Sequence, residues 1–246
     1  MSEIKSLARG LQIIHLLADK GDAVSVTEVS KRLAIDKSSA SRLIKTLVKY
    51  EFAERDKSTR RFRLGNSVRK LASPQSNHAL LKEISLPFLR QLVAQTGENA
   101  HLAVNLGDAA LVIADVESTE ALRVVSEVGR QERLYCTAVG KCLLAFGNSV
   151  IPTELPRLTQ YTITDRLKLE RHLEAIRNQG YAVDDEEKTI GIRCLSAPVY
   201  DVTQKAIASI GISGPALRLT PAKVHPLAEI VMQEAVAFSK ILGYIP

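Results

Sequence analysis

The 246-residue chain is 46% hydrophobic and 24% charged, the balance of a globular protein able to bury a core in one large or two modest domains. Its 4% aromatic content, with no Trp, argues against stacking platforms for single-stranded nucleic acid, and no apolar run reaches the length of a membrane span. The net charge is +6, and all of it lies at one end: residues 1–65 hold 14 basic and 8 acidic side chains, residues 66–246 hold 19 of each.

A basic module joined to a neutral one points to a polyanion as partner of the first. The choice is between double-stranded DNA and a membrane surface. The cations are interleaved with a full apolar core pattern rather than massed on a lipid-facing helix, so DNA is expected and a membrane is not. Three Cys without paired spacing, and an N-terminus (MSEIKSLARG) without an apolar signal core, lead us to expect a reducing, cytoplasmic setting.

In chain order, Ser6 to Lys20 predicts a first helix, with Leu7, Leu11, Ile14, Leu17 and Ala18 on one stripe and Gly21-Asp22 ending it. Ser25-Val-Thr-Glu28 matches a capping box and opens a short second helix through Leu33. Asp36 then caps a third helix to Tyr50, whose apolar positions Ala40, Leu43, Ile44, Leu47 and Val48 share one face. Its other face holds Lys37, Ser38, Ser39, Ser41, Arg42 and Lys45, with no acid after Asp36. That is the equipment of a groove-reading helix, although an ordinary basic surface helix has the same pattern. Two helices, a tight connection and a basic second helix make a helix-turn-helix. Phe52–Ala53 and Phe62–Leu64 flank a polar tip, predicting a hairpin wing whose Lys57, Arg60 and Arg61 reach phosphates; a solvated turn is the plain alternative.

Residues 66–78 are polar and helix-prone, with Pro74 expected to kink or interrupt a connecting helix, and are expected to link a DNA-binding domain (1–65) to a second domain (79–246). Ala79 to Thr96 predicts an amphipathic helix. Three strands in a meander are expected at 101–106, 110–116 and 122–126, then helices at 138–146 and 167–179. Tyr181–Val183 predicts a strand, Cys194–Tyr200 and Ala206–Ser213 a hairpin, and Pro221–Leu242 a closing helix. The fold class is therefore α+β, with helices flanking a mostly antiparallel sheet in the second domain.

Three segments resemble the IclR family of bacterial transcriptional regulators, over essentially the whole chain. They are the opening Ser6-Leu-Ala-Arg-Gly-Leu-Gln-Ile-Ile14, then Tyr135-Cys-Thr-Ala-Val-Gly-Lys-Cys-Leu-Leu-Ala145, then the series Gly180–Glu187, Gly191–Val199 and Ile210–Pro215. The resemblance implies a winged-helix DNA-binding domain and a GAF-like effector domain. It also implies a homodimer or dimer of dimers, a small-molecule effector that is an organic or sugar acid, and action as a repressor or activator. Thr137 can cap the helix starting at Ala138, leaving backbone N–H groups for a carboxylate. By resemblance, Ala138 and Val139 give those N–H bonds, and Asp184, Cys194, Gly211 and Ser213 line the pocket, with Val124 and Ile192 as apolar wall. Without the resemblance these residues read as a plain helix start, a loop acid, a buried thiol and a turn serine. At position 211 the family often has Ser; Gly211 lacks that hydroxyl and makes room, which argues against the smallest keto acid.

No catalytic constellation is legible. His15, His78, His101, His172 and His225 lack metal-ligand spacing, Cys136 and Cys142 form no CxxC pair, and Lys141 is not preceded by a phosphate-binding glycine pattern. Asp184-Asp-Glu-Glu187 is expected to begin a polar loop over the pocket, with one acid turned inward, rather than to form paired carboxylates for acid–base work or a divalent metal. No cofactor or metal is expected and no enzyme activity; the alternative is a metabolite-binding protein or enzyme whose N-terminal domain only docks the chain.

Overall fold

The computed structural model describes residues 3–20, 23–56, 58–71, 74–125 and 127–245, and divides into compact units at 1–78 and 79–246. Lys57, expected at the wing tip, and Gly21-Asp22, expected to end the first helix, lie outside the described residues.

The first unit holds α1 (Lys5–Lys20), α2 (Val26–Arg32), α3 (Lys37–Lys49), β1 (Ala53–Arg55), β2 (Phe62–Leu64) and α4 (Asn66–Leu71). Ser25 closes a full capping box on α2, and the Asp36 carboxylate caps α3. The core gathers Ile13 and Leu17 of α1, Val29 of α2, Ala40 and Ile44 of α3, and Ala53 and Phe62 of the hairpin. Val24 and Phe62 exchange backbone hydrogen bonds of 2.7 and 2.8 Å, which ties the wing to the start of α2. The stripe expected on α1 is rotated: Leu7 and Leu11 remain 61% and 51% exposed, because α3 and the hairpin cover only the Ile13–Leu17 side.

The second unit is an α+β fold. α4 ends at Leu71 and α5 (Pro74–Thr96), which runs on into this unit, starts at Pro74, so the proline stands at a helix boundary as an interrupting proline should; at a first helical position its missing N–H breaks no bond. Six antiparallel strands follow: β3 (Asn99–Asn105), β4 (Ala109–Val116), β5 (Gln131–Arg133), β6 (Ala182–Asp185), β7 (Ile192–Tyr200) and β8 (Ala206–Pro215). Their order across the sheet is β5-β4-β3-β8-β7-β6. The third strand of the expected meander lies at 131–133 and not at 122–125; Ser126, also expected in it, lies outside the described residues. Backbone bonds Val112 N to Arg130 O (3.0 Å) and Gly129 N to Val112 O (2.8 Å) pair the later segment with β4, while Leu122 and Val125 stay exposed.

Strand alternation sorts the sheet's two faces. Ala100, Leu102, Leu195, Ala197, Ile210 and Ile212 point to one side and pack with Leu89 and Leu92 of α5 and with Val231, Ala235 and Phe238 of α8 (Pro221–Ile241). The opposite face meets α6 (Ala138–Phe146) and α7 (Arg166–Gln179) through Ala103, Ala110, Val139, Leu143, Leu169 and Leu173. On that second face the strands also carry His101, Asp184, Cys194, Ser196, Ser209 and Ser213, polar side chains in positions where a simple core would be apolar.

Candidate functional site

Two places concentrate polar chemistry. In the first unit it is the outer face of α3. Ala40 and Ile44 are buried, which turns Lys37, Ser38, Arg42 and Lys45 outward as exposed side chains, with Ser39 and Ser41 half-buried beside them. Asp36 Oδ1 accepts from the Ser38 hydroxyl at 2.5 Å and the Ser39 N–H at 2.8 Å, and these bonds hold its carboxyl well below the usual carboxylate range. The one acid at this end is thus consumed in the cap. Arg42 Nη2 is 3.5 Å from Ser39 Oγ and otherwise projects from the helix.

In the wing, Asp56 Oδ1 accepts the N–H groups of Ser58 (2.8 Å) and Thr59 (2.9 Å), closing the tip, and Arg60 is exposed with φ of 58°. Arg61 departs from expectation. Its Nε donates to the Ala23 carbonyl at 2.7 Å and its Nη2 to both Glu28 carboxylate oxygens at 2.9 and 2.7 Å. Arg61 closes the wing loop opposite Asp56, whose N–H donates to the Arg61 carbonyl at 2.8 Å, and its side chain turns toward α2 and fastens the hairpin to the helix-turn-helix. Glu28 has its pKa lowered to about 2 by the Ser25 N–H and hydroxyl, with Arg61 adding to the effect.

In the second unit a cavity of about 460 Å³ opens on the polar stretch of the sheet, within the range of small-molecule sites. Ala138 and Val139 at the start of α6, Asp184 of β6, Cys194 and Ile192 of β7, Ser213 of β8 and Val124 all line it. Gly211 does not. A Cβ there would stand well inside contact distance of the Leu195 carbonyl oxygen and against Ser196, so the missing side chain serves the close approach of β8 to β7 and does not widen the cavity.

The floor is a helix start. Thr137 Oγ1 accepts the Gly140 N–H at 3.1 Å, and the first-turn N–H groups of Ala138 and Val139 occupy the positions a helix cannot satisfy internally. Asp184 is 2% exposed, and its Oδ1 accepts the N–H groups of Glu187 (2.8 Å) and Lys188 (3.3 Å). Burial pushes its carboxyl up to about 7, against the lowering effect of Lys141. Ser213 Oγ donates to Cys194 Sγ at 3.1 Å. Burial raises all three thiols, Cys136 and Cys142 to about 12 and Cys194 beyond that, so each is a neutral SH group and none is a ready nucleophile.

Three features at or near the cavity were not read from the sequence. Glu132 pairs with Lys188 and, at 3.0 Å, with Arg130. Glu187 lies in the loop between β6 and β7, whose Lys188, Thr189 and Gly191 line the cavity as expected, but its own side chain is 5% exposed and ion-paired to fully buried Lys141. His101 lines the cavity at 5% exposure, its pKa lowered to about 4 by burial. The only local signal for His101 was a polar residue on the inward phase of an otherwise apolar strand. Among the described residues no group of three or more His, Cys, Asp or Glu side chains is placed to hold a metal ion, and no helix is long and apolar enough to cross a membrane.

Residues 6–57 match the family model for the IclR helix-turn-helix domain, and residues 75–240 match that for the bacterial transcriptional regulator IclR C-terminal domain. The chain is similar to the HTH-type transcriptional regulator BhcR of Paracoccus denitrificans, 34% identical over 238 residues, covering 94% of this chain and 85% of that protein. It is also similar to the HTH-type transcriptional repressor AllR of Klebsiella pneumoniae, 31% identical over 248 residues, covering 98% and 91%. The crystal structure of Thermotoga maritima IclR superposes with a TM-score of 0.64 at 30% identity, covering 98% of this chain and all of that one. These relatives are named as regulators of transcription. The chain belongs to the IclR family of bacterial transcriptional regulators: it is a helix-turn-helix DNA-binding regulator of transcription with an IclR-type C-terminal domain.

Proposed function

We propose that this regulator is controlled by a small carboxylic acid bound where α6 begins. The observation that carries the reading is the meeting of that helix start with Asp184, an acid buried in the same cavity with a pKa raised to about 7. Helix N–H groups favour a carboxylate, and a protonated Asp184 donates to it where an ionised one repels it. Ser213 and Cys194 add neutral polar contacts, and Val124 and Ile192 supply apolar wall. The AllR relatives are named repressors, and repression relieved or imposed by the acid is the matching output here.

On the DNA side, Lys37, Ser38, Ser39, Ser41 and Arg42 read base edges in the major groove, while Lys45 and the wing's Arg60 hold phosphates. The chain acts as a homodimer or dimer of dimers, since half-sites about 34 Å apart need two recognition helices. Leu7 and Leu11 on α1, with Ile4 just before it, are all more than half exposed and offer apolar surface for a second copy. The cytoplasm is the matching setting.

The test combines selection of bound duplexes from a random pool with thermal-shift screening against keto, hydroxy, sugar and aromatic acids. A stabilising acid should change affinity for the selected duplex, and Asp184→Ala should abolish both effects. Absence of salt-dependent duplex binding overturns the DNA reading; acids that stabilise Asp184→Ala as well as the parent overturn the site.

A further inference from the structure

Most polar groups around the cavity already have partners. Arg130 and Lys188 share Glu132, and Arg123 is 3.3 Å from Glu117. Ser213 is committed to Cys194, and Asp184 to two backbone N–H groups. His101 is the exception: its Nδ1 is buried and has no hydrogen-bond partner. The residue paired with it on β8 is Gly211, which brings no side chain to that position. An imidazole 5% exposed, lining a cavity with one ring nitrogen unspent, is costly for the fold unless something in the cavity answers it.

We propose that His101 Nδ1 is the cavity's second recognition point and makes this protein selective for a hydroxy acid: the carboxylate sits at the start of α6 and a hydroxyl on the same ligand meets His101. This rests on the acid-effector reading of the cavity. Burial keeps the imidazole neutral at ordinary pH, so Nδ1 is a donor in one tautomer and an acceptor in the other. A hydroxyl answers either tautomer, whereas a keto oxygen answers only the donor and an alkyl group answers neither. A ligand without the hydroxyl leaves Nδ1 buried and unpartnered, and sites built around such a bond reject the analogue that lacks it. The cavity volume leaves room for both ends of such a molecule together with apolar carbon between them.

The experiment is calorimetric titration of the full chain with matched pairs: lactate and propionate, 3-hydroxybutyrate and butyrate, 4-hydroxybenzoate and benzoate. Pyruvate and acetoacetate serve as keto controls. In the parent protein at least one hydroxy acid should bind about tenfold or more tightly than its deoxy partner and its keto counterpart. His101→Leu, close in size and without polar atoms, should weaken only the hydroxylated member and bring the ratio near one; His101→Gln should restore part of it. If His101→Leu does not fold, His101→Asn decides, because its shorter amide withdraws from the ligand and must lower the ratio. A parent ratio near one for every pair, or a ratio unchanged in these variants, overturns the role of His101 while leaving the acid site standing. No binding by any acid overturns the acid site and this inference with it, and a keto acid that matches its hydroxy partner overturns the choice of hydroxyl.

Discussion

Lys141 and Glu187 meet out of reach of water: the lysine ammonium on α6 is fully buried and is held by the Glu187 carboxylate, with His172 Nε2 3.2 Å from the same Nζ. Burial, and then Lys141, lower the His172 pKa to about 4, so its neutral ring accepts from the lysine. The Glu187 N–H is in turn bound by Asp184. One chain of contacts therefore runs from the helix that floors the cavity, through the segment following β6, to the acid in the cavity wall.

That arrangement predicts an asymmetric response to mutation. Lys141→Met leaves a buried carboxylate without its cation and should destabilise the second unit by roughly 3–5 kcal/mol. The double change Lys141→Met, Glu187→Met removes both charges and should recover most of that loss. Urea unfolding of the parent, Lys141→Met, Glu187→Met and the double variant measures the coupling, and a double variant no more stable than Lys141→Met would show that the pair is not what holds the segment.

Asp184 makes stability and ligand binding depend on pH in a stated direction. Its folded-state pKa of about 7 lies above the ordinary aspartate value of 3.8, so between those limits the folded chain holds a proton the unfolded chain has lost. This contribution is full below about pH 4 and is lost as pH rises through 7. Binding of an acid anion should weaken over the same rise, by up to about tenfold per pH unit above 7. Asp184→Asn keeps an oxygen for the Glu187 N–H and cannot ionise, so it should flatten both profiles; titrations at pH 6, 7 and 8 with thermal melts check this.

Arg61 separates a structural cation from a DNA-contacting one. If its bonds to Glu28 and the Ala23 carbonyl fasten the wing, Arg61→Ala and Arg61→Lys should both lower the melting temperature of the first unit, because a lysine cannot reproduce the three bonds. A phosphate contact would instead survive in Arg61→Lys with an unchanged melt. Differential scanning calorimetry with a DNA titration distinguishes the two.

What was legible in the sequence was local. The capping residues Ser25, Asp36 and Thr137 lie within three positions of the N–H groups they bind, and the β7–β8 alternation is written in consecutive residues. The cavity residues known by resemblance fall together except Gly211, whose use is backbone packing. What escaped depends on partners far along the chain: Arg61 with Glu28 across 33 positions, Lys141 with Glu187 across 46. Periodicity marks which side of a strand His101 occupies, but only the fold shows that its Nδ1 is left without a partner. The segment 122–125 carried a strand composition without a buried face to use it.

The exposed cations of α3 and the wing should divide by what they touch. Arg42 projects from the second turn of α3, where a recognition helix meets base edges, and its weak 3.5 Å contact to Ser39 leaves it available to a base. Arg42→Ala should cost roughly 1–3 kcal/mol at the preferred duplex and relax sequence choice at one position, with little effect on unrelated DNA. Arg60→Ala, at the exposed wing tip, should weaken all sequences about equally and reduce the slope of log affinity against log salt by about one. Fluorescence anisotropy over a salt series, with preferred and scrambled duplexes, reads both quantities. Normal discrimination by Arg42→Ala would place base reading elsewhere on the helix, and an unchanged slope for Arg60→Ala would take the wing tip off the phosphate backbone.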